Sequence, residues 1–277
     1  MWRMIELTAC VEGKLREASK LKKRYALMSF SGWPDAGRIA SLTAEHFAKS
    51  LKAAKILDLD YSEIYDLTVA RPVVEIREAL ISRLSLPAAS VYLWKSEEQD
   101  ASLLIFSGAE PGLRWRQFAD GVLKLCGAIA AQRMYLVGGV LDQVPHTRRP
   151  RISAVVNMEH LKNEVKLHGL ELSDYSGPAS IHSYLMIRAG EVGLEAIGVW
   201  GHTPTYLTQP DAMVALHVAS KIAELMGIRV DLSELKAMAE AQKLNLRKAM
   251  IENPDFRRLV EELERQYDSR RAPSYIS

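Results

Sequence analysis

The sequence has few cysteines, almost no net charge and no long apolar run, and each shortage argues against a class of protein. Its two cysteines, Cys10 and Cys126, have neither a CxxC partner nor a metal-type spacing to histidine, which argues against a disulfide scaffold and a zinc site. With 36 basic and 34 acidic residues, the formal charge of +2 is too small for a dedicated nucleic-acid binder. The longest weakly charged stretch, residues 122–131, is far shorter than the roughly 20 apolar residues of a membrane span.

The remaining composition is that of an ordinary globular chain. It is 48% hydrophobic and 25% charged. A chain of this length buries roughly 70–75% of its unfolded surface, so folding requires neither a metal nor a disulfide. Glu6 interrupts the first apolar residues and no small-residue cleavage site follows, so we expect no secretory signal. We therefore predict a cytoplasmic protein with reduced thiols, in which Cys126 lies on the core-facing surface of a helix.

Apolar runs alternate with helical patterns along most of the chain. Residues 24–31 predict a strand, residues 31–37 a tight turn, residues 39–53 a helix and residues 54–59 a second strand. This order is typical of the βαβ unit of a parallel sheet. Further strands are predicted at residues 73–81, 88–95, 102–107, 134–137 and 194–200. Further helices are predicted at residues 113–131, 179–192 and 210–226.

The pattern changes after residue 227, where only helices are predicted, at residues 231–250 and 254–267. Asp231 and Glu234 resemble a capping box, and Asn253 is placed to cap the second helix. We therefore predict an α/β domain over residues 1–227 and a helical appendage over residues 228–277. We expect the appendage to pack on the α/β body or on a neighbouring subunit.

Loops with glycine or polar residues follow several predicted strands, where open α/β sheets bind ligands. The turn at residues 32–37 offers backbone N–H groups to an anion, although it lacks the GxxxxGK[ST] and GxGxxG nucleotide patterns. Asp35 in this turn is equally placed to cap the next helix. Glu110 also has two interpretations. It is placed to act as an acid/base group or to accept a hydrogen bond from a ribose-type hydroxyl, and it is equally placed to cap the next helix.

Three more loops contain candidate side chains. The loop at residues 144–151 has His146 and three arginines, of which Arg148 is the candidate ligand for an anion. Such arginines are more often solvated or used at a subunit contact. Ser176 lacks the GxSxG pattern of a nucleophile, and His202 is a candidate to pair with Glu110 or His146. The candidate site residues are Gly32, Asp35, Gly37, Glu110, Gly138, Gly139, His146, Arg148, Ser176, Gly177 and His202.

Taken in order, these loops resemble one family, the proteasome assembly chaperone family. The segments that carry the resemblance are Gly32-Trp33-Pro34-Asp35-Ala36-Gly37, Ser107-Gly108-Ala109-Glu110-Pro111, Gly138-Gly139, Pro145-His146-Thr147-Arg148, Tyr175-Ser176-Gly177-Pro178 and Trp200-Gly201-His202-Thr203-Pro204-Thr205-Tyr206. They lie within residues 24–226, and the helical C-terminal appendage is also similar to many prokaryotic members. The resemblance implies a three-layer α/β/α fold similar to purine nucleoside phosphorylases, and self-association. It implies no established catalytic residue.

The last residues depart from the pattern of the archaeal members. Those members that bind the proteasome have a hydrophobic–Tyr–any tail, which docks between the subunits of the ring. In this sequence Tyr275 stands third from the last position and follows Ser274 instead of an apolar residue. We therefore expect no proteasome docking by this tail.

Two function classes remain. The one we favour is a homo-oligomeric protein-binding or assembly-chaperone-like protein, with Arg148, Arg149, Arg151 and the helical appendage as contact surfaces. The alternative is a small-ligand-binding or hydrolase/phosphorylase-like enzyme, in which Arg148 holds an anion and Glu110 or His202 is the acid/base. Whether any catalysis occurs stays open. We expect a protein partner, and no cofactor, metal, nucleic acid or membrane.

Overall fold

The computed structural model describes residues 8–59 and 64–271. Within these residues the strands are β1 (Lys23–Ser31), β2 (Ala54–Leu59), β3 (Val73–Arg77), β4 (Leu80–Ser85), β5 (Ala89–Ser96), β6 (Ala101–Ala109), β7 (Arg133–Asp142), β8 (Ile152–Val156), β9 (Glu171–Leu172) and β10 (Glu195–Pro204). The helices are α1 (Ala9–Ala18), α2 (Ile39–Ser50), α3 (Trp115–Ala128), α4 (Leu161–Leu167), α5 (Ile181–Glu191), α6 (Ala212–Met226), α7 (Ser233–Glu252) and α8 (Pro254–Arg271). In the same residues, no helix is long and apolar enough to cross a membrane.

Eight strands form one mixed sheet in the order β2-β5-β6-β1-β7-β10-β8-β9. The central strands β6, β1, β7 and β10 are parallel, whereas β5 and β8 run antiparallel to the strands that they flank. Parallel strands end on the same side, so the carboxyl ends of these four strands share one edge of the sheet. We call it the carboxyl edge, and the loops that follow the four strands begin there.

Helices cover both faces of this sheet. Helices α1, α3 and α5 pack on one face, where Met28 and Phe30 of β1 are buried, and α2, α4 and α6 pack on the other, with Leu27. Successive side chains of a strand point to opposite faces, so a buried β1 contributes to two hydrophobic cores. Cys126 on α3 lies in the first core, as predicted. The three-layer α/β/α fold expected from the sequence is therefore confirmed.

Two regions near the end of the sheet differ from the prediction. Strand β2 is not a neighbour of β1; it lies at the sheet edge and pairs antiparallel with β5. Its side chains are mostly half-buried or exposed, and a central parallel strand requires apolar residues on both faces. Residues 73–81 form not one strand but β3 and the start of β4, because Glu78 and Ala79 have positive φ angles of 49° and 65°. The two residues reverse the chain into a hairpin.

Strands β7 and β10 continue through residues 138–142 and 201–204, which were expected to be loops, because the two strands pair along this whole length. The long helices agree with the sequence patterns. The helices predicted at residues 39–53, 113–131, 179–192 and 210–226 correspond to α2, α3, α5 and α6. The sequence patterns predict neither α1 nor α4, β8 and β9, and the last three have seven residues or fewer. Short elements carry too few residues for a periodicity to be recognised.

The junction between α6 and α7 is fastened to the α/β body. The backbone carbonyl of Asp231 accepts hydrogen bonds from His46 Nε2 at 2.7 Å and Ser50 Oγ at 2.8 Å, both on α2. The predicted capping box does not form, because Glu234 instead pairs with Lys49 of α2 at 2.6 Å. An ion pair to a neighbouring helix thus replaces the local contact.

Helix α8 begins as the sequence predicts. Asn253 Oδ1 accepts hydrogen bonds from the backbone N–H groups of Asp255 and Phe256, each at 3.0 Å, and so caps its first turn. Val260 of α8 is fully buried. The appendage therefore packs on the rest of its own chain, which is one of the two placements expected. The division into domains at residues 227 and 228 stays a prediction.

Candidate functional site

Asp35 fastens the glycine turn after β1 to helix α2. Its Oδ1 accepts hydrogen bonds from the backbone N–H groups of Ala40 at 2.8 Å and Ser41 at 3.2 Å, and its Oδ2 accepts one from the Ser41 hydroxyl at 2.5 Å. Burial raises the pKa of this carboxyl, although the three hydrogen bonds oppose the shift. The contacts are those of a helix cap, which was the structural alternative for this residue.

The same turn lies against β7 at a distance that excludes a side chain. Gly139 donates its backbone N–H to the Pro34 carbonyl at 2.8 Å and forms an isolated bridge with Asp35. A Cβ atom on Gly139 would stand 2.2 Å from the Ala36 carbonyl oxygen. Gly37 has a φ angle of 62°, which glycine adopts without strain. These glycines therefore allow one backbone segment to pack on another.

An open cleft of 530 Å³ lies beside this turn, between the ends of β1 and β6 and the start of α2. Its charged side chains are Asp35, Arg38 and Glu45. Arg38 pairs with Glu45 at 2.9 Å, and Asp35 is held by α2. Among the described residues that line the cleft, each charged group is therefore already engaged.

Glu110 caps helix α5. Its Oε1 accepts a hydrogen bond from the backbone N–H of Ile181 at 2.8 Å, and its own N–H donates to the Ser31 carbonyl at 2.9 Å. Burial raises the pKa of the carboxyl, and the Ile181 hydrogen bond opposes that shift. A Cβ atom built on Gly32 would lie 3.9 Å from Glu110 Cβ, so the loops after β1 and β6 are neighbours.

His182 on α5 is a buried histidine that the sequence patterns did not single out. Its ring lies between Phe30 and Trp200, with centroid distances of 5.4 and 5.0 Å. Its Nε2 donates to the Val137 carbonyl at 2.9 Å. Burial lowers the pKa of this imidazole to about 4, so it is neutral at pH 7. Gly138 makes room for the Trp200 ring, since a Cβ there would lie 2.3 Å from it.

Three side chains on β7, β8 and β10 form a hydrogen-bonded chain. His202 Nδ1 lies 2.8 Å from Asp142 Oδ2, and His202 Nε2 lies 2.8 Å from Ser153 Oγ. The hydrogen bond from His202 lowers the pKa of the Asp142 carboxyl to about 2. This is the connectivity of a Ser-His-Asp triad. No spacing in the sequence marks Asp142 or Ser153 as partners of His202.

The surroundings of Ser153 are not those of a nucleophile. Ser153 is 2% exposed and lies inside the sheet, opposite Trp200 of β10 on one side and Glu171 of β9 on the other. A serine nucleophile requires a sharp turn that presents its hydroxyl to a substrate. Arg151 also binds Asp142 at 2.9 Å and Glu171 at 2.8 Å. The chain of hydrogen bonds therefore ties neighbouring strands together.

The loop at residues 144–151 holds helix α8. Arg148 forms ion pairs with Glu264 at 3.0 Å and Asp268 at 2.7 Å. The ring of His146 stacks on Phe256 with an interplanar angle of 4°. The candidate anion ligand Arg148 is thus already neutralised by carboxylates of the appendage.

Ser176 and Gly177 lie in an exposed loop before α5. Tyr175 donates its hydroxyl hydrogen to the Pro178 carbonyl at 3.0 Å and closes this loop. Ser176 makes no hydrogen bond to another described residue. Neither residue contacts a candidate base in the part of the chain that the structure describes.

The structure thus places candidate residues near one edge of the sheet, but it divides them among separate contacts. Asp35 and Glu110 cap different helices, His202 binds Asp142 and Ser153, and Arg148 binds α8. In residues 8–59 and 64–271, no three His, Cys, Asp or Glu side chains cluster as ligands of a metal ion would. The candidate residues therefore do not form one shared site among the described residues.

The fold is shared with known proteins. The sequence profile of the PAC2 family matches residues 29–250. A PAC2 family protein from Streptomyces avermitilis is 26% identical, with a TM-score of 0.73 over 81% of this chain and 95% of the other. A proteasome-assembly chaperone homologue from Mycobacterium tuberculosis is 25% identical, with a TM-score of 0.75 over 85% of this chain and 99% of the other.

A more distant structure shows the fold alone. PbaB, an archaeal proteasome activator from Pyrococcus furiosus, is 23% identical, with a TM-score of 0.65 over 83% of this chain and 94% of the other. Among curated proteins, none matches this chain.

Replacing Gly139 by alanine should destabilise the protein by about 1–3 kcal/mol, because the added methyl group collides with the Ala36 carbonyl. The matched control is Gly13→Ala in α1, where nothing lies within 4 Å of the new Cβ. That change should stabilise by up to about 1 kcal/mol, through helix propensity. Thermal unfolding of both variants measures the difference, and an equal effect at the two glycines would contradict the packing described for Gly139.

His182 should make stability depend on pH below neutrality. An unfolded histidine has a pKa of about 6.5, so the unfolded state binds the proton first. Stability should therefore fall as the pH drops below 6.5, and this contribution should level off below the folded pKa of about 4. Between pH 7 and pH 5 the loss from this one group is about 2 kcal/mol.

The measurement is urea unfolding at the two pH values for the wild type and for His182→Gln. Glutamine keeps an N–H donor for the Val137 carbonyl but does not titrate. The variant should lose about 2 kcal/mol less than the wild type between pH 7 and pH 5. Equal losses in the two proteins would show that His182 is not a buried neutral imidazole.

Proposed function

The chain belongs to the PAC2 family, and from this premise we propose that it is a self-associating, protein-binding protein of the assembly-chaperone kind. The relative from Mycobacterium tuberculosis is a proteasome-assembly chaperone homologue, which supports a role with protein partners. The division of the candidate site residues among helix caps and ion pairs is consistent with binding by surfaces. The observation that carries the proposal is an exposed apolar hairpin.

The hairpin of β3 and β4 stands apart from the main sheet. The two strands pair with each other and form a separate two-stranded sheet. Val74, Ile76, Ile81 and Leu84 are between 45% and 72% exposed. An isolated two-stranded hairpin is marginally stable in water, and monomeric proteins rarely expose such contiguous apolar surface.

The register of the hairpin brings these four side chains to one face. Val74 lies opposite Leu84, and Ile76 lies opposite Ile81. The register shifts between the two pairs, which places Ser82 in a bulge and lets Ile81 share the face of Leu84. We call Val74, Ile76, Ile81 and Leu84 the hairpin face.

The opposite side of the hairpin is partly polar. Glu75 and Arg83 lie opposite each other, 3.8 Å apart at their charged atoms. The hairpin is therefore amphipathic, as expected for a strand pair with one face against apolar surface. That apolar surface is absent from the described part of this chain.

A second copy of the chain is the proposed occupant of the hairpin face. Self-association is also what the family resemblance implies, and a two-fold axis would bring identical apolar patches together. Full burial of one such aliphatic side chain contributes about 1.5–3 kcal/mol, so a few per copy support a stable contact.

Three finer expectations belong to this proposal. The free thiols of Cys10 and Cys126 support a cytoplasmic location. Tyr275, on which the expectation about proteasome docking depends, lies outside the described residues, so that expectation stays a prediction. The likeness to purine nucleoside phosphorylases also stays a prediction.

Aspartate at two positions of the hairpin face, Ile76→Asp with Ile81→Asp, should dissociate the oligomer. Two carboxylates in an apolar contact should weaken self-association at least about a hundredfold. Native mass spectrometry and light scattering of the full chain measure the mass before and after the change.

The control is Leu167→Asp on α4, an apolar residue that is 87% exposed and outside the hairpin. It should leave the mass unchanged. A monomeric wild type, or a hairpin variant that keeps the mass of the wild-type oligomer, would overturn the proposed use of this face.

A further inference from the structure

A second surface lies where the helical appendage meets helix α6 and the loop at residues 144–151. A groove of 760 Å³ runs between residues 146–150 and helices α6, α7 and α8. Its volume lies in the range of small-molecule sites. Met213 and Leu216 of α6 and Met250 and Ile251 of α7 contribute apolar surface. Methionine side chains are flexible and polarizable, so such a floor adapts to the shape of an apolar ligand.

The rim of the groove is basic and unpaired. Arg149, Lys243 and Arg247 line it, and none of them forms an ion pair with another described residue. The acidic residue in the lining is Glu240, which likewise has no ion-pair partner among the described residues. These four side chains leave an excess of two positive charges around an apolar floor.

The loop at residues 144–151 has three arginines, of which two form ion pairs within the protein and one, in the groove lining, is unpaired among the described residues. Arg148 is neutralised by Glu264 and Asp268 of α8, and Arg151 binds Asp142 and Glu171. Arg149 stands between these two engaged arginines and has no such partner. Two arginines thus fix the conformation of the loop, while the third remains available at the rim.

Hydrogen bonds hold the backbone beneath this floor in place. Gln242 of α7 accepts from the Met213 backbone N–H at 3.2 Å and donates to the Pro210 carbonyl at 3.1 Å. The lining residue His217 donates its Nδ1 hydrogen to the Met213 carbonyl at 2.8 Å. The Nε2 atom of His217 has no hydrogen-bond partner among the described residues. The backbone of the groove is therefore held in place, while its methionine side chains can adapt, and the lining includes an unused polar atom.

We propose that this groove binds a small amphipathic organic anion. Arg149, Lys243 and Arg247 hold its phosphate or carboxylate group, and the methionine floor accepts its alkyl or aryl body. Guanidinium groups bind such oxyanions through paired hydrogen bonds, which an apolar neighbourhood strengthens. The proposal goes beyond self-association and does not depend on the hairpin face.

Calorimetric titration of the full chain with octyl phosphate and with octanoate tests this assignment. Octanol, which lacks the charge, and inorganic phosphate, which lacks the body, are the matched ligands. At least one of the two anions should bind at least about tenfold more tightly than either matched ligand. In spectra of protein labelled at the methionine methyl groups, Met213 and Met250 should shift on binding.

The double charge reversal Arg149→Glu with Arg247→Glu should weaken binding at least about tenfold. Both side chains are exposed, so the fold should remain intact. The matched control is Lys14→Glu with Arg116→Glu, two exposed cations on α1 and α3, at the other face of the sheet. That control should bind like the wild type.

Three results would overturn the proposal. They are equal affinity for octanol and the anions, equal loss in both double reversals, and methyl shifts confined to methionines outside the groove. Failure to bind either anion at millimolar concentration would overturn it as well. The mass of the oligomer is read separately, so either proposal can fail while the other stands.

Discussion

The parallel pairing of β6, β1, β7 and β10 is the constraint on which the rest of the molecule depends, because it brings four strand ends to one edge. Each chain segment that leaves this edge must satisfy its backbone groups before a helix begins on a covered face. Carboxylates do so three times: the buried Asp35 and Asp211 cap α2 and α6, and the half-buried Glu110 caps α5. Burial raises the pKa of each carboxyl while helix N–H groups oppose the shift. A perturbed pKa at this edge therefore reports helix capping as well as it would report catalysis.

Polar residues at strand ends fit both a helix cap and a catalytic group, and this limits how much of the site could be predicted from the sequence. The order of strands and long helices follows from periodicity, and the glycine turn after β1 was correctly expected. Gly138, Gly139 and His202 were expected in loops but lie within β7 and β10. The partners of the loop residues were not predictable, because Ser153 and Asp142 meet His202 only through sheet register. Likewise, nothing near Arg148 in sequence reveals that Glu264, far along the chain, neutralises it. The sequence shows where polar residues occur, whereas contacts in the folded chain decide which of them are free to bind a ligand.

The hairpin shows the same limit for the fold. An apolar run such as residues 73–81 predicts one strand, and a reversal at Glu78 and Ala79 carries no glycine or proline to announce it. Both residues adopt positive φ angles, a conformation that residues with a Cβ atom rarely adopt. The register shift near Ser82 then decides which side chains share a face. Periodicity cannot supply such a shift, because one extra residue exchanges inside for outside.

The two proposed surfaces lie in different parts of the topology. The hairpin connects β2 to β5, at one end of the sheet order, whereas the groove adjoins the loop between β7 and β8, toward the other end. We therefore expect a partner on the hairpin face to leave the groove open, and a bound anion to leave the hairpin exposed. Coupling between them would require a sheet and its helices to adopt a second arrangement that both ligands sense. Without such an element, binding at the hairpin face does not change the affinity of the groove for an anion. In both proposals the α/β/α body holds the surfaces in place, and the proposed functions belong to the hairpin and the appendage that are attached to it.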